Sequence, residues 1–159
     1  MPTSGFLLVD KPAGITSHDV IDKLRRITGE RRIGHAGTLD PFATGLLIAA
    51  VGREATKEIS KYVGMDKTYE AELVLGATTE TLDPEGEVIV DSTTPRLLDS
   101  TTITAAMQSL TGDILQIPPM YSAIKKAGKK MYELARQGKP VELEPRPVTI
   151  YEFALVEQV

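Results

Sequence analysis

The chain has 159 residues, 42% of them hydrophobic and 25% charged, which excludes a disordered tract and suits one ordinary domain, or a piece of a larger one, long enough to bury a core. It has no cysteine and two histidines, so disulfide scaffolds, thiol catalysis, cysteine-based zinc or iron–sulfur sites and a histidine-rich metal centre are excluded. No run is long enough for a membrane span and no signal segment is evident, so a soluble, cytoplasmic protein is expected, and its net charge of −4 argues against a general polyanion binder.

That charge is unevenly spread. Residues 70–115 carry one basic and nine acidic side chains, whereas residues 1–69 carry ten and eight, and residues 116–159 seven and five. A local basic face is therefore available in spite of the acidic total.

Phe6 to Val9 is a short apolar run that stops at Asp10-Lys11-Pro12-Ala13-Gly14, the pattern of a buried strand entering a turn. Ser17 is expected to cap a helix whose apolar positions are Val20, Ile21, Leu24 and Ile27, with Gly29 ending it. Arg31 to Gly45 holds three glycines and a proline and reads as a long, shaped loop. Leu46 to Val51 is a second apolar run, expected to be a central strand, and a short helix follows over Ala55 to Val63.

Lys67 to Leu75 alternates, with Tyr69, Ala71, Leu73 and Leu75 on one face, which predicts an edge or half-buried strand. Asp83-Pro84-Glu85-Gly86 is a turn and Glu87 to Val90 the arm that pairs back. Ile103 to Leu110 is expected to be a helix ended by Gly112. The prolines at 118 and 119 make Met120 to Ile124 extended, Met131 to Gln137 is a helix ended by Gly138, and Pro147 to Val159 is a strand. The sum is a mixed α/β chain in which antiparallel pairing is favoured over a doubly wound sheet.

Motifs for nucleotide cofactors are missing: no Gly-Lys-Ser/Thr follows the glycines, and no G-x-G-x-x-G opens a helix. No metal-ligating pattern is present, so no cofactor and no metal are expected. The informative stretch is the loop from Gly34 to Gly45, which sets Asp40 between Leu39 and Pro41 just ahead of an apolar strand. A carboxylate on a loop carried by rigid strands, against apolar walls that exclude water, can act as a nucleophile or a general base. Taken alone, Asp-Pro is ordinary turn chemistry, His35 an ordinary loop residue and Tyr69 a packing residue.

Taken together these segments resemble a family. Gly34-His35-Ala36-Gly37-Thr38-Leu39-Asp40-Pro41-Phe42-Ala43-Thr44-Gly45-Leu46-Leu47 is similar to the catalytic-loop signature of bacterial transfer-RNA pseudouridine-55 synthases, the TruB family. Asp10 to Ser17, Gly52 to Lys57, Lys67-Thr68-Tyr69, Ile117 to Lys125, Tyr132 to Gly138 and Arg146 to Glu152 resemble its other motifs, in family order and over nearly the whole chain.

The resemblance implies an α+β fold, a mixed and mostly antiparallel sheet with flanking helices, with residues 1–159 forming the N-terminal part of the catalytic domain. It implies isomerisation of one uridine in the T arm (position 55) of transfer RNA to pseudouridine, an internal rearrangement without cofactor. By the same resemblance Asp40 is the catalytic aspartate, either a nucleophile at the sugar or a base for the C2′ proton. Tyr69 matches a tyrosine that stacks on the target base, and His35 a histidine that supports the flipped-out nucleotide. Lys11 and Pro12 are expected to be structural. Arg31, Arg32, Lys125, Lys126, Lys129 and Lys130 are candidate phosphate contacts, with an ordinary solvated face as the competing account. The continuous match between Ile117 and Gly138 favours the stand-alone bacterial type over guide-RNA relatives of the dyskerin type.

Family members continue past Tyr151-Glu152 to a motif of the kind Lys-Gly-Thr-Tyr-Ile-Arg, whose arginine pairs with the catalytic aspartate, and many carry a C-terminal RNA-binding domain. The resemblance therefore implies a fold incomplete at its C-terminal end. A second functional expectation follows, that of a catalytically weak or inactive RNA-binding remnant. An exposed sheet edge that invites self-association is also expected.

Overall fold

The computed structural model describes residues 4–90, 98–118 and 143–158 and, as backbone, 125–126 and 129–130. The chain divides into two compact units, Met1–Glu72 and Leu73–Val159.

The first unit is a three-stranded antiparallel sheet in the order β1-β3-β2, where β1 is Gly5–Lys11, β2 is Ile33–His35 and β3 is Gly45–Val51. Phe6 pairs with Ala50, Lys11 with Gly45 and Ile33 with Val51. Period-2 alternation sorts these strands onto two faces. Leu47, Ala49 and Val51 point to one face and are buried, and there Ile33, Ala49 and Val51 cluster with Ile21. Phe6, Gly34 and Ala50 lie on the other. β3 is central and flanked on both sides by strands, which accounts for its continuous apolar run.

Helix α1 (Ser17–Thr28) covers the first face with Val20 and Ile21 buried and Leu24 packed on the cluster. Ile27, the fourth apolar position, is 73% exposed because the stripe outruns this small core. Gly29 ends the helix at φ 72° and donates its N–H to the Arg25 carbonyl, a left-handed cap that suits glycine. The N-cap is Thr16 and not Ser17. Its hydroxyl accepts from the Asp19 amide at 3.0 Å while the Asp19 carboxylate accepts from the Thr16 amide at 2.8 Å. This reciprocal box follows from Thr16-x-x-Asp19.

Helices α2 (Gly52–Glu58) and α3 (Ser60–Val63) follow β3 directly, so the expected helix begins earlier and is divided at Ile59. They serve the second face. The rings of Phe6 and Tyr62 stand 4.6 Å apart, and a Cβ on Gly34 would meet the Ile59 Cδ1 at 3.3 Å, so glycine lets helix and strand approach.

The expected strand over Lys67 to Leu75 is absent. These residues form no ladder, and Tyr69, Leu73, Val74 and Leu75 are 74%, 80%, 69% and 53% exposed. Alternation makes a strand only where a neighbour supplies the ladder bonds, and no described segment pairs with this one.

In the second unit β4 (Ala77–Thr79) pairs with β5 (Val88–Val90), so the hairpin arm finds its partner later in the chain than the alternation implied. Asp83 organises the turn, its carboxylate accepting from the Thr81 hydroxyl and the Glu85 amide. Helix α4 (Ser100–Ser109) starts before the expected Ile103 because the Asp99 carboxylate caps it at the Thr102 amide, 2.7 Å away. β6 (Gly112–Gln116) pairs with β9 (Arg146–Ile150), and two-residue strands β7 (Lys125–Lys126) and β8 (Lys129–Lys130) pair with each other. The final expected strand is thus confined to 146–150. Met120 to Ile124 and Met131 to Gly138 lie outside the described residues. Every pairing among the described residues is antiparallel, in agreement with an α+β fold. No helix among the described residues is long and apolar enough to cross a membrane.

The Asp19 carboxyl is held below the ordinary carboxylate value, first by the Thr16 hydroxyl and then by the Thr16 amide. A lowered pKa in the folded state means that its stabilising contribution is full above the ordinary carboxylate range. The contribution is lost as pH falls through Asp19's own value. Replacing Asp19 by Asn should therefore flatten the dependence of melting temperature on pH in the acid range, measured by circular dichroism. Thr16→Ala should cost about 1 kcal/mol at neutral pH in the same assay.

Candidate functional site

Strands β2 and β3 are joined by residues 36–44, the segment that holds Asp40. The Ala36 amide donates to the Ile48 carbonyl at 2.9 Å, extending the ladder one step beyond His35. Gly37 and Gly45 adopt φ of 103° and 122°, in the half of backbone space that side chains rarely enter. They let the chain leave β2 and rejoin β3 within a short loop.

The loop is held from outside by a buried lysine. Lys11, at the end of β1, is fully buried. Its Nζ donates to the carbonyls of Pro12 at 3.0 Å, Ile15 at 2.8 Å and Pro41 at 3.3 Å. An ammonium has three N–H groups, and three acceptors use them all. The Gly14 amide also donates to the Pro41 carbonyl, at 2.8 Å. The expectation that Lys11 is structural holds, and its work is to join the turn after β1 to the residue that follows Asp40. On the other side Ser17, 2% exposed, donates its hydroxyl to the Leu39 carbonyl at 3.0 Å and accepts from the Leu39 amide at 2.9 Å. The Asp40 carbonyl itself accepts from the Ala43 amide at 3.1 Å.

Asp40 is thus bracketed by fixed main chain while its carboxylate is left without a hydrogen bond or ion pair among the described residues. The side chain is exposed, so the apolar walls expected around it are not in place; Phe42, two residues on, is itself 41% exposed.

His35 is half-buried at the mouth of the same loop. Its Nδ1 lies 2.5 Å from the Gly37 carbonyl. A carbonyl only accepts, so Nδ1 carries the proton and donates, leaving Nε2 free to face a ligand. His35 and Asp40 therefore share one loop. Tyr69 is exposed and makes no hydrogen bond to either residue among the described residues. Arg31 and Arg32 are exposed beside β2, and Lys125–Lys126 face Lys129–Lys130 across the β7–β8 ladder.

Reading the sequence alone missed the part played by Ser17, which was expected to cap the helix. The signal was present: an acid stands three residues after Thr16 and none stands three residues after Ser17. With the cap assigned to Thr16, the buried Ser17 hydroxyl needs another partner.

Comparison with known proteins gives a consistent result. Residues 25–159 match the family model described as TruB family pseudouridylate synthase (N terminal domain). The tRNA pseudouridine synthase B of Geobacillus thermodenitrificans (strain NG80-2) is 49% identical over 154 residues, covering 97% of this chain and 51% of that protein. The protein of the same name from Syntrophotalea carbinolica is 46% identical, over 96% of this chain and 49% of its own length. That of Corynebacterium efficiens is 48% identical, over 98% and 52%. The chain spans about half the length of these curated relatives. Among solved structures, a chain described as "Crystal Structure of a Cbf5-Nop10-Gar1 Complex" matches with a TM-score of 0.50 and 26% identity, over 76% of this chain and 31% of that one. With the family model covering most of its length, the chain belongs to the TruB family of pseudouridylate synthases.

Proposed function

We propose that the chain carries the catalytic aspartate of a synthase that converts a uridine in the T arm (position 55) of transfer RNA to pseudouridine. The observation that carries this reading is the setting of Asp40: main chain fixed at Leu39, Asp40 and Pro41, with a carboxylate left unengaged. Relatives 46–49% identical over nearly all of this chain bear the name tRNA pseudouridine synthase B, which supports the substrate class.

The chemistry is an isomerisation. The bond from C1′ to N1 breaks, the freed uracil turns, and C1′ bonds to C5. The proton on C5 goes to solvent and N1 gains one, so atoms and electrons balance without an oxidant, reductant or energy donor. Asp40 acts on the sugar, as a nucleophile at C1′ or as a base at C2′; both roles need an ionised carboxylate within reach of the ribose. Since Asp40 is exposed in the free chain, the RNA loop itself would supply the surface that excludes water. His35, with Nδ1 committed to Gly37, offers Nε2 and a ring face to the extruded nucleotide. Tyr69 offers an exposed ring on which a base can stack. Arg31, Arg32 and the four lysines of β7 and β8 are the proposed phosphate contacts.

Transfer RNA tritiated at uridine C5 provides the test, because C5–H is lost in every turnover. Release should occur with the protein and fall to background in Asp40→Asn, while the affinity for RNA stays within about twofold, since a group acting only in the transition state contributes little to ground-state binding. Binding without Asp40-dependent release would replace this reading with that of an RNA-binding remnant. The proposal extends to self-association: β1 pairs on one side only among the described residues, with Leu8 and Leu46 72% and 61% exposed on its sheet. Sedimentation should show mass above the 17.3 kDa of one chain, and a monodisperse monomer would remove this part.

A further inference from the structure

Ser17 does something that a helix-capping residue does not. Thr16 already caps α1, in a box with Asp19. Ser17 lies in the first turn behind that cap, 2% exposed, and among the described residues its hydroxyl engages Leu39 alone, 22 positions later in the chain. It uses both sides of that residue: it donates to the Leu39 carbonyl and accepts from the Leu39 amide. These are the two bonds that an antiparallel neighbour exchanges with the residue opposite. A single hydroxyl therefore stands in for a strand at a place where the loop has none.

The consequence falls on Asp40. The orientation of the Leu39 carbonyl sets the peptide plane that leads into Asp40, and the Pro41 carbonyl on the far side is held by Lys11 and Gly14. Among the described residues the carboxylate has no hydrogen bond of its own, so the place from which its side chain projects is set by the main chain at these two anchors.

We infer that Ser17 is a positioning residue for Asp40, acting through Leu39 on the transition state and not on RNA binding. The inference rests on the reading of Asp40 as the catalytic carboxylate. A displacement of about 1 Å between reacting groups lowers rate by up to roughly 100-fold, whereas binding spread over an RNA surface is insensitive to it.

The experiment compares Ser17→Ala with Thr16→Ala and Asp40→Asn in the tritium-release assay, with kcat and KM separated and melting temperature recorded. Alanine is well accepted in a helix first turn and the Thr16 cap remains, so Ser17→Ala should fold. Thr16→Ala is the control, because it weakens the same end of the same helix and leaves the two bonds to Leu39 untouched. In Ser17→Ala kcat should fall roughly 10- to 100-fold with KM for the transfer RNA unchanged, and Thr16→Ala should keep its kcat. The Leu39 amide should exchange faster with solvent in Ser17→Ala, seen by NMR, while the amides of β3 stay protected. Unchanged kcat in Ser17→Ala, or an equal fall in both helix variants, would overturn the inference and leave the reading of Asp40 intact. Absence of Asp40-dependent release in the unsubstituted protein would instead overturn that reading and this inference with it.

Discussion

A positive charge buried at the end of a strand organises the candidate site. Taking an ammonium out of water costs several kcal/mol even after relaxation, and the cost is tolerable only where its donors are used. Lys11 meets that condition with three backbone carbonyls, two from the turn that follows its own strand and one from Pro41, 30 residues later. Hydrogen bonds to a charged donor contribute about 1.5–3 kcal/mol each, enough together to offset the burial. The lysine has no carboxylate partner among these contacts. Its N–H groups go into holding main chain.

From this anchor the rest of the first unit follows. The pairing of Lys11 with Gly45 sets the register of β1 on β3. The same pairing puts the end of β1, the start of α1 and the loop before β3 at one end of the sheet. Lys11 and Ser17 then reach the loop from two elements, one on each side of Asp40. The core supports this from behind: Ile21 of α1 is 1% exposed against Ile33, Ala49 and Val51, so α1 cannot shift without opening the cluster. Burying an isoleucine against such partners stabilises by a few kcal/mol, which is what keeps the Ser17 hydroxyl in place.

Much of this unit was legible in the sequence because its signals are local. The stop at Gly29 and the apolar run at 46–51 each act within a turn or strand, and each has its expected counterpart, whereas the helix cap falls on Thr16, one residue before the Ser17 expected. The larger failures are non-local. Lys67 to Leu75 has the alternation of a strand, yet alternation states which faces would be buried and cannot supply the partner that makes the ladder. β4 and β6 carry the opposite problem. Ala77–Thr79 and Gly112–Gln116 are short or open on glycine, so they have little pattern of their own and become strands only through β5 and β9. The site divides likewise. Asp40 and His35 are ordinary loop residues taken alone and are singled out by the family resemblance, whereas the hydroxyl that clasps Leu39 is visible only once the fold brings residues 17 and 39 together.

The exposure of Asp40 bears on how such a centre could work. A carboxylate in water is well solvated and a poor nucleophile or base, so a catalytic aspartate needs a partner that dries it. Among the described residues the loop offers Phe42 beside it and His35 at its mouth, and neither closes over the acid. On the proposed reading the substrate supplies part of that cover: an extruded uridine and its neighbouring bases are flat, large and able to stack. Chemistry would then begin only when the correct RNA shape has covered the loop, which makes activity itself a check on the substrate. Such a scheme places unusual demands on the backbone. Among the described residues Lys11 and Ser17 are the two side chains that hold the main chain on either side of Asp40.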